Sequence, residues 1–135
     1  MSSQDGSVVD TNIISYVCKK HSIGERYAPY LSDKIWYISF ITLAELQFGA
    51  KKDKWGIKKL KKLEERLAQT RMLPFHDKII AEYVRIRVHL ESIGRPLQFE
   101  DLWIAASACA YDLPLVSHNR KDFQNIPGLK LICFE

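Results

Sequence analysis

The chain has 135 residues, 47% of them hydrophobic and 27% charged, with a formal net charge of +4. That length suits one domain with a real core, and the composition excludes a disordered or fibrous chain. No apolar run reaches the ~18 residues of a spanning helix, and Cys18, Cys109 and Cys133 are an odd set without CxxC spacing, which argues against a disulfide or zinc framework.

The amino terminus lacks the apolar stretch of a signal peptide, so the expected location is the cytoplasm. Met1 to Ser7 is polar and aperiodic and is expected to be a flexible end before a single domain over 8–135. Ser7 to Asp10 reads as a short buried strand. Asn12 to Lys20 and Gly24 to Leu31 follow as helices, and Ile35 to Ser39, rich in β-branched and aromatic residues, is a second strand. Thr42-Leu43-Ala44-Glu45 opens a helix expected to stop at Gly49.

Lys51 to Gln69 is predicted as one long amphipathic helix, with Trp55, Leu60, Leu63 and Leu67 on one face and lysines over much of the rest. Arg71 to Pro74 is a strand candidate. Asp77 to Ile93 is a helix with Ile80, Val84, Ile86, Val88 and Leu90 turned inward and Gly94 as its stop. Asp101 begins the most apolar helix, through Ala110, and its small residues suit close packing on a sheet. Leu113 to Ser117 is a strand, His118 to Phe123 a turn into a short helix, and Leu129 to Cys133 the last strand. Alternating strands and helices, with strands apolar on both faces, imply an α/β fold: a central parallel sheet flanked by helices on both faces.

Ligands of such sheets lie beyond the carboxyl ends of the strands. Asp10 ends the first strand, Glu45 lies in the helix after the second, Asp101 opens the helix before the fourth, and Asn119 and Asp122 follow the fourth directly. Carboxylates about 4 Å apart repel by roughly 4 kcal/mol at an effective dielectric of 20, so such a group calls for a proton, a basic partner or a cation. Oxygen-only donors suit Mg²⁺ or Mn²⁺. A bland role stands open beside each ligand role: Asp10 and Asp101 as helix caps, Glu45 as the far end of a capping box with Thr42, Asn119 and Asp122 as turn residues. The lysine face is equally a solvated surface. His21, His76, His89 and His118 lack paired spacing, and there is no GxSxG elbow or glycine-rich phosphate loop.

Four stretches in this order resemble PIN-domain ribonucleases of the VapC-like toxin kind: Val9-Asp10-Thr11-Asn12; Thr42-Leu43-Ala44-Glu45-Leu46 with Gly49; Gly94-Arg95-Pro96 followed by Asp101 to Ala106; and Ser117-His118-Asn119-Arg120-Lys121-Asp122-Phe123. The resemblance covers Val8 to Ile132. It implies a PIN fold, Mg²⁺- or Mn²⁺-dependent endoribonuclease activity on RNA such as tRNA or rRNA, neutralisation by a cognate VapB-like antitoxin, and a homodimer. By position it makes Asp10, Glu45 and Asp101 the metal-holding triad. The family's fourth acidic position falls on Asn119, and its usual Thr on Ser117, so this chain carries one charge fewer. The resemblance assigns Thr11, Asn12, Ser117 and Asp122 orienting roles, while Lys51, Lys52, Lys58 and Arg120 are candidate RNA contacts. The alternative is a catalytically weak PIN-like module that binds RNA or protein.

Overall fold

The computed structural model describes residues 5–135. Along the chain run β1 (Gly6–Val9), α1 (Thr11–Cys18), α2 (Ser22–Leu31), β2 (Ile35–Ile38), α3 (Phe40–Lys52), α4 (Ile57–Ala68) and β3 (Thr70–Met72). They are followed by α5 (Asp77–Ser92), α6 (Phe99–Ala110), β4 (Leu115–Val116), α7 (Arg120–Phe123) and β5 (Leu131–Ile132). The five strands form one parallel sheet in the order β3-β2-β1-β4-β5. The chain builds outward from β1 on one side, then crosses back to lay β4 against its other edge. Strand order therefore reverses between β1 and β4, the position at which such sheets leave a crevice.

Strand pleating divides the interior. Val8 and Leu115 point into a core shared with Ile86 and Leu90 of α5 and Ile104, Ala105 and Ala108 of α6. Their neighbours Val9 and Val116 point the other way, into a core shared with Ile13 and Ile14 of α1, Tyr27 of α2, Leu46 of α3 and Leu63 of α4. Helices thus cover both faces, as expected of strands apolar on both sides. The small residues of α6 let it lie close to the sheet: Ala105, Ala106 and Ala108 are wholly buried. Gly24 has an equally direct reason, because a Cβ there would stand 2.9 Å from the backbone of Tyr16 and Val17 where α2 crosses α1.

Several boundaries differ from the sequence expectation for physical reasons. Gly6 and Ser7 already belong to β1, both buried, and only Met1 to Gln4 of the expected flexible end lie outside the described residues. The helix that holds Glu45 does not stop at Gly49 but runs to Lys52, where Asp53 caps it and Lys54 takes φ 52° to leave it. Lys51 to Gln69 is therefore two helices, with α4 starting after Gly56 and Trp55 lying in the turn between them. On α5, Ile79, Ile86 and Leu90 are buried, whereas Ile80, Val84 and Val88 are 44%, 53% and 65% exposed. Their four-residue spacing makes a second apolar stripe that faces away from the core.

Candidate active site

Val9 delivers Asp10 at the carboxyl end of β1, and its carboxylate is held in place from two sides. Asp10 Oδ1 accepts the Thr11 amide at 2.8 Å, and Oδ2 accepts the Ser117 hydroxyl at 2.7 Å. Ser117 follows β4, so this bond spans the point of strand reversal. The Ser117 hydroxyl in turn accepts the Asn119 amide at 3.1 Å. Asp10 is both the cap of α1 and a member of the acidic group, so its two candidate roles coexist.

Glu45 is not part of a capping box. Ser39 caps α3, its hydroxyl accepting the Thr42 amide at 3.1 Å, and Glu45 lies six residues beyond that cap, three past the position that could reach back. Its Oε1 instead accepts the Thr11 hydroxyl at 2.6 Å, a hydroxyl that also lies 3.2 Å from that of Thr42. Thr11 is thus the strut between the first and second acidic segments. Asp101 is the third residue of α6, whose cap position belongs to Gln98, so it is not the cap either. Its carboxylate sits in the first turn, where the helix dipole favours negative charge.

Burial and mutual repulsion outweigh these favourable contacts. Loss of water raises Asp10 from its ordinary 3.8 to about 6 against the bonds from Ser117 and Thr11, with the charges of Glu45 and Asp122 adding to the rise. Asp101 is raised from 3.8 to about 7, first by desolvation, then by Asp10, Asp122 and Glu45. No Lys, Arg or His stands within ion-pair distance of Asp10, Glu45 or Asp101 among the described residues. Asn119 and Asp122 hold each other, Nδ2 of Asn119 donating to Asp122 Oδ2 at 2.6 Å. That orientation turns the amide carbonyl of Asn119 away from Asp122. Asn12 Oδ1 is buried with no partner, an acceptor without a donor.

These groups head a cleft of about 410 Å³ between α1 and α3, lined by Asp10, Asn12, Glu45, Asp101 and Asn119 at one end and by Lys19 and Trp55 at the other. Sequence reasoning missed Ser15, Tyr16, Lys19, Asp53 and Trp55 as cleft residues. The i, i+4 spacing of Thr11, Ser15 and Lys19 along α1 was the available signal. It also missed Tyr27, whose buried hydroxyl lies 2.6 Å from His118 Nδ1 and accepts the Phe134 amide at 2.9 Å, fixing the turn that carries Ser117. Lys51, Lys52 and Lys58 are exposed but outside this cleft, and Arg120 pairs with Glu135 at 3.5 Å.

A five-stranded parallel sheet of this order, with acidic residues gathered at the β1/β4 reversal, is the arrangement of a PIN domain. The chain belongs to the PIN-domain family, whose model matches residues 7–129. Within it, the chain is 35% identical to "Ribonuclease VapC1" of Haemophilus influenzae strain R2866, over 91% of this chain and 93% of that protein. It is also 35% identical to "Ribonuclease VapC2" of Rickettsia felis, over 92% and 94%. The crystal structure of VapBC2 from Rickettsia felis, bound to a DNA fragment from its promoter, superposes with a TM-score of 0.84 at 33% identity, covering 96% of this chain and 98% of that one.

Proposed function

We propose that the chain is a divalent-cation-dependent endoribonuclease of the VapC kind, a toxin that hydrolyses RNA phosphodiester bonds and is neutralised by a VapB-like antitoxin. The observation that carries the nuclease reading is the convergence of Asp10, Glu45 and Asp101 on one crevice, with Asp10 and Asp101 pushed up to about 6 and about 7 and no basic group within ion-pair distance among the described residues. The antitoxin follows from the family, since the Rickettsia felis relative is a VapBC complex.

The donors fit Mg²⁺ or Mn²⁺. They are all oxygens, they carry uncompensated negative charge, and the orphaned Asn12 Oδ1 adds a neutral acceptor beside them. Among the described residues no three His, Cys, Asp or Glu side chains stand close enough to share one ion, so a cation held by all three carboxylates would require side-chain movement. When bound, the cation supplies charge neutralisation at the phosphate and acidifies a water for in-line attack. Asp10, fixed by Ser117 and Thr11, would supply the best-held oxygens of the site, with Asp101 and Glu45 completing the donor set.

The outward stripe of Ile80, Val84 and Val88, with Phe99 58% exposed beside it under the Arg87 guanidinium, supports a homodimer through α5. Cleavage of structured RNA by purified protein with Mg²⁺ or Mn²⁺ tests the nuclease reading. Activity that survives Asp10→Asn or Asp101→Asn, or persists in excess EDTA, would overturn it and leave the weakly catalytic binding module.

A further inference from the structure

Gly49 has no reason to be glycine that the fold supplies. It lies inside α3 at ordinary helical dihedrals, the helix continues past it to Lys52, and a Cβ at that position would meet nothing within 4 Å. A glycine inside a helix is less stable than alanine there, so the position gives up stability without gaining a close approach. Gly24 shows the contrast, since its missing Cβ is demanded by the α1 backbone 2.9 Å away. What Gly49 does border is the cleft, one helical turn along α3 from Glu45, with Asp53 one turn further. The facing wall is α1, where Thr11, Ser15 and Lys19 follow at the same interval.

We propose that this groove, kept open by Gly49, seats the RNA strand adjoining the scissile phosphate, with Lys19 gripping a backbone phosphate at the far end. The assignment rests on the ribonuclease reading and extends it to the path of the substrate. The eight steps from Glu45 to Asp53 rise about 12 Å, room for a short stretch of strand beyond the carboxylates. Among the described residues Lys19 is the only lysine or arginine lining the cleft and has no carboxylate within 4 Å, and its ammonium lies 5.4 Å from the centre of the Trp55 ring. The ring steadies the cation without neutralising it, so the charge is left for a phosphate. Asp53 at the same end repels RNA, which makes the salt dependence carried by Lys19, rather than the cleft's total charge, the informative quantity.

The test measures binding of a fluorescein-labelled RNA hairpin by anisotropy in EDTA, in an Asp101→Asn background that cannot cut it, together with thermal melting. Gly49→Leu is expected to bind at least tenfold more weakly. Gly49→Ala adds only a methyl in open space and should melt about 2 to 4 °C higher while binding more weakly, the reverse of a structural defect. Lys19→Ala should bind about fivefold more weakly and reduce the slope of log affinity against log salt by about 0.7, the share of one phosphate on a single strand. Equal affinity in Gly49→Ala and Gly49→Leu, or an unchanged salt slope in Lys19→Ala, overturns the proposal. So does loss of antitoxin binding in Gly49→Leu with RNA affinity intact, which would give the groove to a peptide. Failure of the ribonuclease reading shows separately, as wild-type protein that binds the hairpin and leaves it uncut with Mg²⁺ or Mn²⁺.

Discussion

Two pairs of helices lean on this sheet and are finished in opposite ways. Between α5 and α6 the interior is closed: Ile86, Ile104, Ala105 and Ala108 are wholly buried, and Tyr83 stacks on Trp103 with ring centres 4.0 Å apart. Between α1 and α3 lies a polar cleft, headed by carboxylates that burial makes costly to ionise. The first pair stabilises the fold by removing apolar surface from water. The second is expected to subtract stability at neutral pH, and α6 links them, since its first turn carries Asp101 and the rest of it fills the core. A site that destabilises the empty protein is one whose stability returns when a ligand supplies the missing charge.

Substitutions at the two ends should separate the two roles. The largest effect is on chemistry: Asp10→Asn and Asp101→Asn should each lower RNA cleavage by roughly 100-fold or more, as loss of a group that holds transition-state charge does, measured as initial rates with Mn²⁺. In the closed pair, Ile86→Ala should lower stability by about 3 kcal/mol in urea unfolding, because the wholly buried side chain leaves a cavity, while folded protein keeps its activity.

Asp101→Asn should do the opposite to stability. Unfolded, the aspartate titrates near its ordinary 3.8, and folded it titrates at about 7. Between those values the folded chain holds a proton that the unfolded chain has lost, so metal-free stability falls as pH rises from about 4 to about 7 and is level above. Removing the group should therefore stabilise the protein by about 1 to 2 kcal/mol at pH 7.5 in EDTA, after allowance for its partial exposure, and the gain should vanish at pH 4. The smallest effect is expected of Thr11→Val, which removes the hydroxyl that holds Glu45: about 1 kcal/mol of stability, with cleavage recovering as Mg²⁺ is raised if the strut only positions Glu45.

Much of this was legible in the chain because β2 is a run of β-branched and aromatic residues, Asp10 directly follows its strand and Asp101 lies in the first turn of its helix. What the sequence hid is what tertiary packing decides. Ile80, Val84 and Val88 carry the same periodicity as Ile79, Ile86 and Leu90, and period alone does not say which stripe meets the core. The break between α3 and α4 was marked by Gly56, but the lysine pattern ran through it and concealed the turn. Glu45 looked like a capping residue because the true cap, Ser39, stands three residues earlier than the Thr42 that matched the motif. Lys19 was invisible beside the lysine-rich segment, since its distinction is not local charge but a place at the end of the cleft.

An acidic crevice whose carboxylates are buried together and unpaired is expected to be relieved by a cation. The direct measurement is thermal melting at pH 7.5 in EDTA and through a titration with Mg²⁺ or Mn²⁺, for wild type and for Asp101→Asn. The wild type should melt below the variant in EDTA and rise several degrees with cation, overtaking or meeting a variant that barely responds. A wild type that already melts above Asp101→Asn in EDTA, and does not move with either cation, would contradict it.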